Sequence, residues 1–199
     1  DCFNTLCQNI SVSPTESDLK MILSSIMTPN QFVRTTVLET LDEEFDLQPH
    51  MKCPAEIFIS LFDEEESNRE YAQMIWETNS FKLEESVMSN LLQNFFQQED
   101  SGLRLFIARA YANAAKLLGD MENGKSFYFY VQKLMDFYIE LAKPLQDILD
   151  EYGLIAVYAS QQKDPWESRS TAAIALAECV QYYDKETPAE EIANFVKFL

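Results

Sequence analysis

The fold class the sequence predicts is all-α, an α-solenoid of antiparallel helix pairs, and three observations predict it. Only 4 of the 199 residues are glycine, against a usual share of roughly 7%, and a fold built on many tight turns would need more. Apolar residues recur at helical spacing along the chain, while no segment alternates with period two for long. Six of the seven prolines stand in the pattern Pro-x-Glu/Gln. Proline suits the first position of a helix because its missing N–H was an orphan there, and an acid or amide two residues on reaches back to a free N–H.

Taken in chain order, Ser13-Pro14-Thr15-Glu16 predicts a helix start capped by Ser13, followed by Leu19, Ile22, Leu23 and Ile26 on one face. Thr28-Pro29-Asn30-Gln31 opens the next helix, over Val33, Val37, Leu38 and Leu41. Cys53-Pro54-Ala55-Glu56 keeps the proline but lacks the cap, a weaker start for Ile57, Phe58, Leu61 and Phe62. Leu103, Ile107, Tyr111, Ala114 and Leu118 make a longer stripe. Lys143-Pro144-Leu145-Gln146 reads either as another capless start or as the end of the helix before it. Asp164-Pro165-Trp166-Glu167 and Thr187-Pro188-Ala189-Glu190 return to the capped form. Short links between successive helices predict antiparallel neighbours.

Beneath these elements lies a repeat, in which an apolar helix ends at an acidic or Asn-containing turn and a second helix opens with an arginine. Arg34, Arg69, Arg104 and Arg169 are separated by 35, 35 and 65 residues. A period in the thirties to forties belongs to helix-pair repeats, so residues 1–199 read as a single stretch of about five HEAT-like repeats. The long last interval predicts a degenerate unit, and Gly119 to Tyr152 fits a helix pair poorly. The first ten residues receive no repeat assignment. Thr35, Ala72, Ala108 and Ala172 follow the arginines and allow close helix approach. Asp63, Asp100 and Asp164 precede three of the arginines and predict a ladder of ion pairs along the stack, with partner binding as the alternative role of these residues. The chain begins at Asp1 and stops at Phe198-Leu199 inside an apolar-periodic run, which suggests an excerpt of a longer solenoid.

A net charge of -18 repels phosphate backbones, and the 15 Lys and Arg are scattered, so no sequence-specific nucleic-acid binding is expected. An acidic ridge instead selects basic protein partners. No run approaches the ~18 apolar residues of a membrane span, and no signal-peptide pattern opens the chain. Cys2, Cys7, Cys53 and Cys179 form no CxxC pair and read as reduced thiols in a cytosolic core.

Catalysis by a Ser/His/Asp or Cys/His set needs a histidine, and the only one is His50, beside Pro49 in a loop. The dispersed cysteines offer no zinc spacing, and Gly102, Gly119, Gly124 and Gly153 form no phosphate loop, so neither enzyme, metal nor cofactor is expected. Asp42-Glu43-Glu44 and Asp63-Glu64-Glu65-Glu66 lack the ligand alternation of a calcium loop and read as acidic turns complementing the dipole of the following helix. In the aromatic run from Phe127, the stripe Phe127, Val131, Leu134, Tyr138 and Leu141 reads as core, leaving Tyr128, Tyr130 and Phe137 to face another repeat or a partner. Packing is favoured over a base-stacking platform, which would come with a basic groove. Trp166 wedges against the turn before it, and its indole N–H needs an acceptor if buried.

Two stretches go beyond general patterning: Glu151-Tyr-Gly-Leu with Asp164-Pro-Trp-Glu-Ser-Arg-Ser-Thr-Ala-Ala-Ile-Ala-Leu, and Ala55-Glu-Ile-Phe-Ile-Ser-Leu-Phe-Asp-Glu through Arg69, Ala72 and Trp76. Both resemble the middle region of the giant HEAT-repeat translational activators of the general amino-acid control pathway, from about Thr28 to Leu199. The resemblance implies a scaffold lying along stalled or collided ribosomes that helps activate a stress kinase, which phosphorylates an initiation factor. It also implies that the elongation-factor-three-like segment and the kinase-binding region lie beyond this chain, so no family binding residue transfers to it. The expected partners are the ribosome, through ribosomal proteins, and the kinase, through regions outside the chain; the expected location is the cytoplasm, on polysomes. The other reading is a HEAT adaptor of transport-receptor or phosphatase-scaffold type, holding basic cargo on an acidic face.

Overall fold

The computed structural model describes Thr5, Cys7 and residues 10–121, 125–185 and 187–198. Cys2, Gly124 and Leu199 lie outside the described residues. From Glu16 onward the helices among the described residues are α1 (Glu16–Ser24), α2 (Gln31–Glu44), α3 (Ala55–Ser60), α4 (Glu66–Thr78), α5 (Glu85–Asn90), α6 (Ser101–Gly119), α7 (Phe127–Ala142), α8 (Trp166–Cys179) and α9 (Ala189–Phe198). Helix α5 runs on into a π-helical turn over Leu91–Phe95, and a two-stranded antiparallel hairpin, β1 (Ile148–Leu149) and β2 (Ile155–Val157), separates α7 from α8. The chain is an all-α solenoid of HEAT-type helix pairs.

Most helix starts stand where the prolines place them, but the caps are shifted. Thr15, not Ser13, caps α1 and closes a capping box with Asp18. Asn30, not Thr28, caps α2 by accepting from the N–H groups of Phe32 and Val33. Pro165 itself holds the cap position of α8, so Asp164 caps nothing there and is left free for another partner. The polar residue after the proline lies closer to the orphan N–H groups than the one before it, and it takes the cap. Pro144 starts no helix; α7 ends at Ala142, two residues before it.

Within the pairs α3 packs on α4, α5 on α6 and α7 on α8; along the stack α1 packs on α3, α2 on α4, α3 on α6, and α6 on α8. The core forms two clusters, one built around α1–α4 and one around α6–α8. Met27, Leu61 and Trp76 touch both, so the seam is continuous. Helix α6 is the axis of the second cluster, with Leu103, Ile107, Tyr111, Ala114 and Leu118 all buried as their spacing predicts. At its end a Cβ on Gly119 would stand 2.4 Å from the backbone N of Phe127, so only glycine lets α7 start this close to α6.

Three readings are corrected here. The interval between Arg104 and Arg169 holds no degenerate repeat; it holds the single helix α7 and a turn enlarged to residues 143–165, where the corresponding turns span only 25–30, 61–65 and 96–100. The aromatic stripe of α7 is Phe127, Tyr130, Val131, Leu134 and Met135. Tyr130 is thus core and corrects the reading, whereas Phe137 packs edge-to-face on Phe96 and Tyr128 on Tyr183, as expected of them, and Phe129 stays exposed beside Lys125 and Lys133. Finally, Asp42-Glu43-Glu44 is no inter-helix turn but the C-terminal end of α2, where acids oppose the dipole.

Candidate functional site

Each of the four arginines is the fourth residue of its helix: Arg34 in α2, Arg69 in α4, Arg104 in α6 and Arg169 in α8. Helical side chains lean toward the N-terminus, so a guanidinium one turn in reaches back over the preceding turn. In three repeats its Nη1 donates to the carbonyls six and five residues earlier. Arg34 bonds Thr28 and Pro29, both at 3.0 Å. Arg69 bonds Asp63 and Glu64, both at 2.8 Å. Arg104 bonds Gln98 at 3.1 Å and Glu99 at 2.7 Å. In these three helix pairs the repeated arginine is therefore a clamp on the turn between the helices. Arg169, whose turn is the long one, donates instead to the Asp164 carboxylate at 2.8 Å and to the carbonyl of Leu141 at the end of α7.

The aspartates divide three ways. Asp63 makes the only inter-repeat rung of the expected ladder seen among the described residues: Arg34 Nε and Nη2 donate to its two oxygens at 2.6 and 3.0 Å. With side chains 2% and 1% exposed, the pair is buried. Asp63 also accepts from Asn68 Nδ2 and from the N–H of Glu65, each at 3.0 Å, so its lone pairs are occupied. Thr35 extends the rung by donating to Asn68 Oδ1 at 2.6 Å, and the Phe106 ring of α6 lies 5.4 Å from the Arg34 guanidinium. Asp100 is not a rung; it caps α6 by accepting from the N–H of Leu103 at 2.9 Å. Asp164 pairs within its own turn.

Around Arg104 the sequence reading changes again. Its guanidinium lies 5.0 Å from the ring of the half-exposed Trp166, so Trp166 bridges α8 to α6 instead of wedging only against its own turn. Arg104 Nε and the Tyr130 hydroxyl are buried without a hydrogen-bond partner. Three further contacts were not legible as site residues. Thr171 donates to the carbonyl of Phe96 at 2.8 Å, and Tyr111 donates to the carbonyl of Tyr130 at 3.0 Å. Asn79 accepts from the N–H groups of Leu47 and Gln48, fastening the α2–α3 link to the end of α4. Asn68 carried one signal, a place 33 residues after Thr35, close to the repeat period.

The ionisable groups favour structure over chemistry. Burial pushes the Cys179 thiol up to about 12 and the Cys53 thiol up to about 11, far from the thiolate a nucleophile needs. Cys7 is raised by the same cause. Hydrogen bonds from Arg169 to Asp164 and from Lys163 to Glu167 hold both carboxyls below their ordinary range. His50 sits exposed in a turn, its N–H bonded to the carbonyl of Leu47. Among the described residues no three His, Cys, Asp or Glu side chains gather as a metal site. A cavity of about 330 Å³ behind α7–α9 is lined by Tyr138, Ala173, Leu176, Val180, Phe195 and Phe198, apolar groups with no converging acid or base.

The family described as "Stalled ribosome sensor GCN1, HEAT repeats" matches residues 44–199. The chain belongs to the GCN1 HEAT-repeat family. It is 51% identical over all 199 residues to the eIF-2-alpha kinase activator GCN1 of Saccharomyces cerevisiae, covering 7% of that protein. It is 25% identical over 209 residues to the stalled ribosome sensor GCN1 of Homo sapiens, matching 92% of this chain and 7% of the other. The Mus musculus protein of the same name is 24% identical over 184 residues, 85% of this chain and 6% of the other. The chain thus spans about 7% of the length of the first curated relatives it matches. No solved structure matches it. Among the described residues no helix is long and apolar enough to cross a membrane.

Proposed function

We propose that this chain is a scaffold segment of a GCN1-type translational activator: one stretch of about five repeats, with four complete helix pairs, α1–α2, α3–α4, α5–α6 and α7–α8, and α9 opening another. Its contribution is geometric and not enzymatic. The parent lies along stalled or collided ribosomes in the cytoplasm and promotes phosphorylation of eIF-2-alpha on amino-acid starvation. The kinase is engaged by regions outside this chain, and contact with the ribosome is made through ribosomal proteins. The names of the relatives support this reading.

One observation carries it: the buried Arg34–Asp63 pair fixes the register of one repeat on the next while Arg34 also clamps its own turn. A repeat that packs only on its neighbours transmits position along the stack, and fixed registers keep the summed rotation constant. The structural role of Arg34, Arg69, Arg104, Arg169, Asp63, Asp100, Asp164 and Trp166 belongs to this proposal. Its test replaces residues 1–199 in the full-length protein by a flexible Gly/Ser linker and measures eIF-2-alpha phosphorylation during starvation, with sedimentation on nuclease-enriched collided ribosomes alongside. Loss of phosphorylation is expected. Undiminished phosphorylation with the linker would overturn the rigid-spacer reading.

A further inference from the structure

Within the turn between α7 and α8, residues 143–165, only the end next to α8 ties into the stack, through Lys163 to Glu99 and Glu167 and through Asp164 to Arg169. The strands of the turn pair Ile148 with Val157 and Leu149 with Ile155, with an irregularity between the two pairs. Its tip is shaped by Asp150, whose Oδ1 accepts from the N–H groups of Tyr152 and Leu154 at 2.9 and 2.8 Å, and by Gly153 at φ +79°. Its base is fastened by Ala159 N–H to Asp147 at 2.7 Å and by Gln162 Nε2 to the carbonyl of Gln146 at 2.6 Å. The hairpin therefore has a defined shape without a core. Ile148, Leu149, Tyr152, Leu154, Ile155 and Tyr158 are all exposed, Tyr152 to 78%.

A two-stranded hairpin with no apolar face covered is marginal in water; a third strand or a packed helix is what normally completes one. The stack supplies neither, and both outer strand edges carry unpaired backbone groups of the kind that accept an added strand. From Pro144 to Gln162 the segment holds Asp147, Asp150 and Glu151 and no lysine or arginine, on a chain of net charge -18. That charge repels nucleic acid and anionic lipid alike and attracts a basic protein segment.

We infer that the hairpin of residues 144–162 is a docking arm that takes an extended, apolar peptide segment flanked by lysine or arginine, from a protein partner, as a third strand. Main-chain bonds to a hairpin edge hold the segment, its alternate side chains cover Ile148, Ile155 and their neighbours, and its flanking cations meet Asp147, Asp150 and Glu151. This goes beyond the spacer role, because it gives the segment a contact of its own. It stands or falls independently of kinase activation.

The test uses the 199-residue chain and two labelled ten-residue peptides sharing one alternating Val/Thr core, one flanked by lysines and the other by glutamates, with a ten-nucleotide uridine RNA as third probe. Fluorescence anisotropy at physiological salt should show the lysine peptide binding at least tenfold more tightly than either other probe. The double variant Ile148→Ser/Ile155→Ser should weaken it at least tenfold while leaving the melting temperature unchanged, since the hairpin buries nothing in the stack. Amide exchange should slow over 146–158 and not over α1–α2 when the lysine peptide is bound. No binding of the lysine peptide, equal binding of both peptides, preference for the RNA, or full binding by the double variant would each overturn the inference.

Discussion

The α2–α4 and α6–α8 interfaces join equivalent helices of neighbouring repeats, yet they are built from opposite materials. At α2–α4 the contact is directional: the Arg34–Asp63 fork, the Thr35–Asn68 bond and the two amides that saturate Asp63. At α6–α8 the core of the contact is close and apolar, with one partly exposed ion pair, Arg109–Glu178 at 3.5 Å, at its edge. Ala108, Ala112 and Ala115 in α6 and Ala172 and Ala175 in α8 are fully buried in one cluster, with the Thr171 hydroxyl as a polar tie to the end of the π-helical turn. Directional bonds fix which residue stands opposite which. Small side chains fix how near the helices come, and the dispersion gained there depends on shape. One solenoid thus solves the same joint twice, by register and by fit.

If that contrast is right, the two interfaces fail differently. The largest effect is expected from Asp63→Ala, which leaves Arg34 charged, buried and unpaired; such losses cost about 3–5 kcal/mol, read as a lowered midpoint in urea unfolding. Adding Arg34→Met to Asp63→Leu removes both charges and should recover most of that loss, since apolar pairs of similar volume often replace buried ion pairs without cost. A double variant as unstable as Asp63→Ala would show that the polar groups contribute more than register.

At the other joint, Ala172→Leu should cost about 1–3 kcal/mol by overpacking, with no rescue from any polar change. Gly119→Ala should fall in a similar range of about 1–3 kcal/mol, because the added methyl meets backbone at Phe127, which cannot rotate away. A smaller loss is expected for Arg104→Ala. It removes two bonds to carbonyls and the Trp166 contact but also relieves the orphaned Nε, and a net cost of about 1 kcal/mol corresponds to roughly 2–4 °C in melting temperature for a chain of this size. An unchanged melting temperature would remove Arg104 from the set of turn clamps.

The same division governs what the sequence disclosed. Helix type and order were legible because apolar spacing in α1, α2 and α6 reports burial directly, and the arginine interval of 35 reports the repeat. The ladder was legible only in part. Asp63, Asp100 and Asp164 look alike in sequence, but Asp100 sits where an orphan N–H claims it, and Asp164 lies within reach of its own Arg169. Spacing alone does not decide between a cap and a rung, because both need the same carboxylate near a helix start. The hairpin was missed because its strands are two and three residues long, too short for a period to show, and so a 65-residue interval looked like two repeats.

Acid should separate the two halves once more, by the smallest effect. Asp164 and Glu167 are held below the ordinary carboxylate range by hydrogen bonds from Arg169 and Lys163, so they bind fewer protons folded than unfolded. Their contribution is complete above the unfolded pKa of about 4 and is lost as pH falls through the lower folded values. Glu56 on α3 runs the other way. Burial raises its pKa against the smaller pull of its own N–H and of Lys20, so its ionised form opposes folding at neutral pH, and acidification through the raised value relieves that cost. Urea midpoints measured from pH 7 to pH 3 should show Glu56→Gln more stable than the parent at pH 7 and converging with it on acidification. Asp164→Asn should do the reverse, losing stability at pH 7 and drawing closer to the parent as pH falls below the unfolded pKa. Parallel pH profiles for all three proteins would mean that these carboxyls titrate alike in the folded and unfolded chain.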